Sequence, residues 1–187
     1  MFLRSPLLWG ALPWACLLVT LSAVAYNQAP TKARATRAKE PAPRFNATTT
    51  GGEKFTNVSI KGKVVLLEFW TTWCGFCAEE VPFVEKINRE FAGQELIVLA
   101  INVGESKKTV KKYLDLHPRN CKIVLTDDTN LAAMYAATVY PIYVAIDRDG
   151  NIAGTQRGAA GEEALRELLA NAGLEIKIDS DTASAAP

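Results

Sequence analysis

From residue 54 onward, apolar runs alternate with stretches whose apolar residues recur at helical spacing. VVLLEFW (Val64–Trp70) is an almost unbroken apolar, β-rich run, the pattern of a strand covered on both faces. Residues 75–91 then place Val81, Val84, Ile87, Asn88 and Phe91 on one helical face. LIVLAINV (Leu96–Val103) predicts a second buried strand. A helix begins at Ser106 and is stopped by His117-Pro118. KIVLT (Lys122–Thr126) predicts a short strand and Asn130–Ala137 a short helix. IYVAI (Ile142–Ile146) and NIAGTQ (Asn151–Gln156) are joined by a tight turn over Asp147–Gly150, which predicts a hairpin. A last helix spans Glu162–Asn171 and stops at Gly173. Strand, helix, strand, helix, then a hairpin and a terminal helix predict an α/β domain over residues 54–174. Its core is a mixed β-sheet with helices on both faces. Residues 175–187 are expected to form a disordered tail.

The first half-century of residues reads differently. Arg4 precedes an uncharged, largely apolar run from Leu7 to Ala25, which ends in the small-x-small pattern Ala23-Val24-Ala25. The run is close to the roughly 20 residues that cross a bilayer. Residues 1–26 are therefore expected to be a signal peptide or an uncleaved membrane anchor. Cys16 inside the run is a small apolar residue in lipid, because no end to the run marks it for lipidation. Asn27 to about Thr50 is Ala, Pro, Thr, Lys and Arg with few large apolar side chains, so residues 27–53 read as a flexible basic linker.

Charge sharpens this division. The chain of 187 residues is 49% apolar, enough for one core, and its net charge of +1 suggests no nucleic-acid partner. Residues 1–44 carry six basic residues against one acid, and residues 45–187 carry fifteen against nineteen. A mildly acidic body behind a basic tail fits a tethered domain. Lys32, Arg34, Arg37 and Lys39 follow the apolar run, a flank that the positive-inside tendency would keep in the cytoplasm. Export to the periplasm is nevertheless expected, since a reducing cytosol gives a soluble dithiol domain little need for an anchor.

That dithiol is Cys74-Gly75-Phe76-Cys77. A c-type haem site needs His at position 78, which is Ala. A zinc site would need Cys121 and His117 as further ligands; their plainer readings are a small residue leading into a strand and a solvated helix end. Copper carriers pair CxxxC with a distal histidine, and the spacing here is two. A peroxidase pattern Pro-x-x-x-Thr-x-x-Cys matches at Thr71 and Cys74 but is broken at Leu67. For redox chemistry the position is apt. A cysteine at a helix N-terminus meets free N–H groups and the positive dipole end, which favour the thiolate that attacks disulfides. Two intervening residues let the second sulfur reach back. Gly75 is expected to permit a tight turn and close approach of a substrate backbone, and Phe76 to cover the pair with an apolar face.

These residues resemble the thioredoxin superfamily, and within it the membrane-anchored, periplasm-facing TlpA/ResA-like branch. The likeness spans about residues 54–172. Glu68, Phe69, Trp70 and Trp73 stand before Cys74 as that family's buried acid, aromatics and tryptophan do. Pro82 matches its helix-kinking proline, Glu80 its acid three residues after the second cysteine, and Pro141 in TVYPIYVAID its cis-proline. Ile142 replaces the usual Thr, Tyr140 is bulkier than usual before the proline, and the Gly-Phe dipeptide is uncommon. The resemblance implies a thioredoxin-like fold and a protein thiol–disulfide oxidoreductase whose only redox group is the Cys74–Cys77 disulfide. It also implies disulfide-containing protein substrates, with a role in cytochrome c maturation or related thiol reduction.

Several roles follow as expectations. Cys74, beside a surface Trp73, attacks, and the more buried Cys77 resolves the mixed disulfide. A carboxyl at position 68 buried under an apolar strand favours its protonated form and would shuttle the proton of Cys77 through a water, so Glu68→Leu should slow turnover and stabilise the fold. A cis Tyr140–Pro141 bond would leave the Tyr140 backbone free to pair with an extended substrate segment. Gly75 and Phe76 supply no positive charge, and Glu79 and Glu80 follow closely, so the pair is expected to be reducing and to draw electrons from a membrane dithiol carrier. Aromatic residues in the dipeptide also occur in oxidases and isomerases of this fold.

Overall fold

The computed structural model describes residues 39–91 and 95–176. Along the chain run β1 (Glu40–Pro41), β2 (Asn46–Thr49), β3 (Lys54–Thr56), β4 (Val64–Trp70), α1 (Gly75–Glu90), β5 (Leu96–Asn102), α2 (Lys107–Leu116), β6 (Lys122–Thr129), α3 (Leu131–Met134), β7 (Ile142–Ile146), β8 (Asn151–Arg157) and α4 (Gly161–Asn171). All eight strands join one sheet in the order β1-β8-β7-β4-β5-β6-β2-β3. Strands β4, β5 and β6 are parallel neighbours. β7 runs antiparallel to β4 and to β8, so the sheet is mixed as expected.

Alternation along β4 divides the core. Val64, Leu66 and Trp70 face α1, α2 and α4 together with Cys74 and Cys77. Val65, Leu67 and Phe69 face the opposite layer, built from α3 and the N-terminal segment. Every residue of β4 is buried, which explains why its sequence is apolar on both faces. The crossovers β4-α1-β5 and β5-α2-β6 step the same way across the sheet, so a common right hand puts α1 and α2 on one side.

The linker expectation is corrected for residues 40–53. β1 pairs with β8, and β2 pairs with both β3 and β6. Phe45, Ala47 and Phe55 are buried against the second layer. The Asn57 side chain accepts from Phe45 N–H and donates to the Ala42 and Pro43 carbonyls. Edge strands are held largely by backbone hydrogen bonds and need few large side chains, so apolar density under-reads them. Their pairing also lengthens β6 to Thr129, beyond the expected Thr126, since Ala47 aligns with Thr129. At the other end, Leu174 is buried and Ile176 packs against the core, so the domain extends past 174. The expected anchor (residues 1–26), the remainder of the linker and the tail beyond 176 lie outside the described residues. Among the described residues no helix is long and apolar enough to cross a membrane.

Candidate active site

Cys74 ends the turn that follows β4 and is the N-cap of α1, with extended backbone at φ −82° and ψ 103°. Its Sγ accepts a hydrogen bond from Cys77 N–H at 3.1 Å, the contact through which a helix N-terminus stabilises a thiolate. The two sulfurs form a disulfide with Cα atoms 5.2 Å apart. Cys77 is the more buried of the pair, 2% exposed against 8% for Cys74. The Tyr140–Pro141 peptide is cis, as expected.

The pair lies beneath an apolar rim. Trp73 and Phe76 are 71% and 65% exposed, and Val139 is 52% exposed. With Tyr140 they border a groove of about 340 Å³ whose lining includes Cys74. Tyr140 meets Trp73 edge-on, ring centroids 5.8 Å apart, and its phenol donates to the Ala137 carbonyl. Gly75 is not required by its turn: its backbone is not left-handed, and a Cβ there would meet nothing within 4 Å. The close-turn expectation for Gly75 is therefore corrected, although its open surroundings leave room for a partner to approach.

Glu105 fastens the turn from the neighbouring crossover, and nothing in its local sequence suggests this. Its carboxylate accepts from Thr72 N–H (2.6 Å), from the Thr72 hydroxyl (2.5 Å) and from Asn102 Nδ2 (2.7 Å). Val103 N–H donates to the Trp70 carbonyl and Cys74 N–H to the Thr71 carbonyl. The residues leading into Cys74 are thus tied at both backbone and side chain.

Glu68 is fully buried, which rules out a solvent-facing strand acid, but it is not an isolated carboxyl. Both of its oxygens accept from the Arg119 guanidinium, at 3.1 and 2.7 Å. Arg119 also donates to Glu85 at 3.3 Å and lies over the Trp70 ring. The Asn120 and Cys121 amides complete Glu85. Burial pushes Glu85 up, yet the Asn120 N–H and the Arg119 charge outweigh it and hold the group below the ordinary glutamate value. Burial opposes the charge on Arg119, and Glu68 overcomes it, raising the guanidinium further. Cys121 is buried beside this cluster, and burial pushes its thiol well above the ordinary range, so it is an inert thiol.

A second buried acid stands nearer the cysteines. Glu80 follows Cys77 by three residues on α1, which sets the two side chains on one helix face about 5–6 Å apart at Cβ. Its Oε1 accepts from Gly161 N–H at the start of α4, at 2.8 Å. Its Oε2 is buried without a partner. The sequence pattern singled out Glu80, but only the fold shows that it, and not Glu68, keeps an oxygen without a partner of ordinary geometry. Elsewhere, His117 caps α2 and stacks on Tyr113 at 4.5 Å. Among the described residues no three His, Cys, Asp or Glu side chains converge as a metal site.

Comparison with known proteins bears on this geometry. The Redoxin family matches residues 37–171. The thiol-disulfide oxidoreductase ResA of Bacillus subtilis is 30% identical over 128 residues, 68% of this chain and 72% of the relative. The thioredoxin-like protein YneN of the same organism is 33% identical over 133 residues, 70% of this chain and 77% of the relative. A crystal structure of a thiol:disulfide interchange protein of the thioredoxin family from Chlorobium tepidum superposes with a TM-score of 0.62 at 25% identity, covering 72% of this chain and 96% of that one.

Proposed function

Because the chain belongs to the Redoxin family and is a thiol–disulfide oxidoreductase with a Cys74–Cys77 pair, we propose that it works as a reductant of protein disulfides in the periplasm. In this reading residues 1–26 hold the domain at the membrane or direct its export, and a membrane dithiol carrier recharges it. Cytochrome c maturation is the class of process it serves, where haem attachment requires free cysteine thiols.

The observation that carries the reading is the makeup of the pair's surroundings. Cys74 gains one N–H contact at the helix start, and the groove it opens into is lined by uncharged residues. Arg119, the buried cation on this face of the sheet, is engaged by Glu68 and Glu85. Glu80 adds a buried acid a turn beyond Cys77. With little to stabilise the thiolate form, reduced Cys74 gives up electrons readily.

The reaction proceeds by two exchanges. The Cys74 thiolate attacks one sulfur of the substrate disulfide; that S–S bond breaks and the other substrate sulfur leaves and is protonated. Cys77, once deprotonated, attacks Cys74 Sγ, releases the second substrate thiol and closes the disulfide. Glu80, on the same helix face with a free oxygen, is the group suited to take the Cys77 proton. The apolar rim of Trp73, Phe76, Val139 and Tyr140 suits an extended, apolar segment of a partially folded polypeptide. Equilibration against dithiothreitol or glutathione buffers tests the direction of flow. The expected potential is nearer thioredoxin's roughly −270 mV than the oxidant DsbA's roughly −120 mV, and a value above about −170 mV overturns the reductase reading.

A further inference from the structure

Tyr143 is the next residue along β7 that faces the cysteine side of the sheet, and it is fully buried. Its Cα partner on β4 is Glu68. From α1 the side chain of Glu80 lies close to the phenol, and from the segment before β6 Arg119 adds its charge. On β8 its partner is Gln156, whose amide donates to the Gly158 carbonyl. The phenol therefore sits between two buried carboxylates and one guanidinium. Neither Tyr143 Oη nor Glu80 Oε2 has a hydrogen-bond partner of ordinary geometry. Leaving two such atoms buried and unpaired is costly, and natural cores rarely do it without a use. One atom is a donor and the other an acceptor.

We propose that Tyr143 is a positioning residue for the thiol exchange: its phenol donates to the free Oε2 of Glu80 while that carboxylate is ionised, and so sets how readily Glu80 takes the proton of Cys77. Both oxygens of Glu68 already accept from Arg119, which leaves the Oε2 of Glu80 as the better acceptor for the phenol. Burial first, then the charges of Glu68 and Glu80, push the phenol far above the ordinary tyrosine range, so it keeps its proton at every working pH. The proton ledger closes: Cys77 S–H passes its proton to Glu80, the Cys77 sulfur attacks Cys74 Sγ, the Cys74–substrate bond breaks, and the leaving sulfur is protonated from solvent. Glu80 then returns its proton to solvent. Tyr143 loses nothing in the cycle.

The inference rests on the thiol-exchange reading, but its test does not depend on turnover with a protein substrate. Reduced protein is mixed with 5,5′-dithiobis(2-nitrobenzoate) across about pH 4–9. The first release of aryl thiolate reports Cys74, and the second reports attack by Cys77 on the mixed disulfide. In Tyr143→Phe, which removes one oxygen and keeps the ring, the ionised Glu80 loses a donor. The rising limb of the second phase should therefore move up by about one pH unit, while the first phase moves less. In a Glu80→Gln background the same substitution should change nothing further. Coincident second-phase profiles for wild type and Tyr143→Phe overturn the proposal, as does a shift that persists undiminished in Glu80→Gln. Failure of the wild type to reduce any protein disulfide would instead overturn the function proposed above, with the two-phase measurement still deciding the role of Tyr143.

Discussion

Of the three carboxylates buried on one face of the sheet, Glu68 and Glu80 both lie close to Tyr143, and they differ in how completely they are partnered. Glu68 gives both oxygens to Arg119, and the adjoining Glu85 is satisfied by Arg119 and by two backbone amides. Glu80 accepts one amide at the start of α4, and its other oxygen, one turn from Cys77, has only the Tyr143 phenol beside it. A buried carboxylate with both oxygens bonded to a buried guanidinium is fixed in position; such a group holds strands and loops in place. A buried carboxyl with an open oxygen can change protonation without dismantling anything. The difference divides labour that the family resemblance, with its buried acid at position 68, leaves undivided.

Deletion of the closed acid separates the two roles most clearly. Glu68→Leu leaves Arg119, itself buried, with Glu85 alone, and removing one partner of a buried pair costs about 3–5 kcal/mol. The expectation from sequence that leucine would stabilise the fold is thus reversed in sign. Urea unfolding of the oxidised protein should show the loss at neutral pH. Retained or increased stability would mean that the cluster does not hold the fold and that Glu68 and Glu80 do not differ in role.

The converse substitution touches the open acid. Glu80→Gln keeps an oxygen to accept from Gly161 N–H, so stability should change by less than about 1 kcal/mol. Disulfide reduction at neutral pH should slow by about 10²-fold, the low end of what a positioned proton acceptor contributes. Normal turnover in Glu80→Gln alongside slow turnover in a folded Glu68 variant would return the shuttle to Glu68.

What the sequence conveyed and what it hid follow from sequence distance. The burial of Glu68 is readable because VVLLEFW is apolar on both faces, and a residue within such a strand has nowhere exposed to go. The cis peptide at Pro141 and the helix start at Cys74 are readable because local motifs carry them. Arg119 is not, since it stands 51 residues from Glu68 in a connection between α2 and β6, and nothing beside it in the chain announces a buried cation. Glu105 is hidden for the same reason, reaching Thr72 from a different crossover. β1, β2 and β3 escaped because short strands at or next to a sheet edge are held by backbone pairing, which leaves little mark on side-chain composition. Long-range polar pairing was the missing layer, and it is the layer that separates the two acids.

The finest test of the comparison is acid titration of the closed cluster. Glu85 is held below the ordinary glutamate value of 4.5 because, although burial pushes it up, the Asn120 N–H, Arg119 and Cys121 prevail. A group depressed in the folded state adds stability above its unfolded value, and that stability is lost as pH falls through the folded one. Glu85→Gln should therefore be less stable than wild type at pH 7, with a deficit that narrows as pH drops below about 4.5, where the carboxyl of the unfolded chain takes up its proton first and the folded one follows at lower pH. Urea midpoints measured from about pH 7 to pH 3 read this directly. A deficit that stays constant over that range would show that the ionised form of Glu85 contributes nothing specific. The cluster would then be held by packing and amide contacts alone, and the contrast with Glu80 would be one of position in the fold and not of charge.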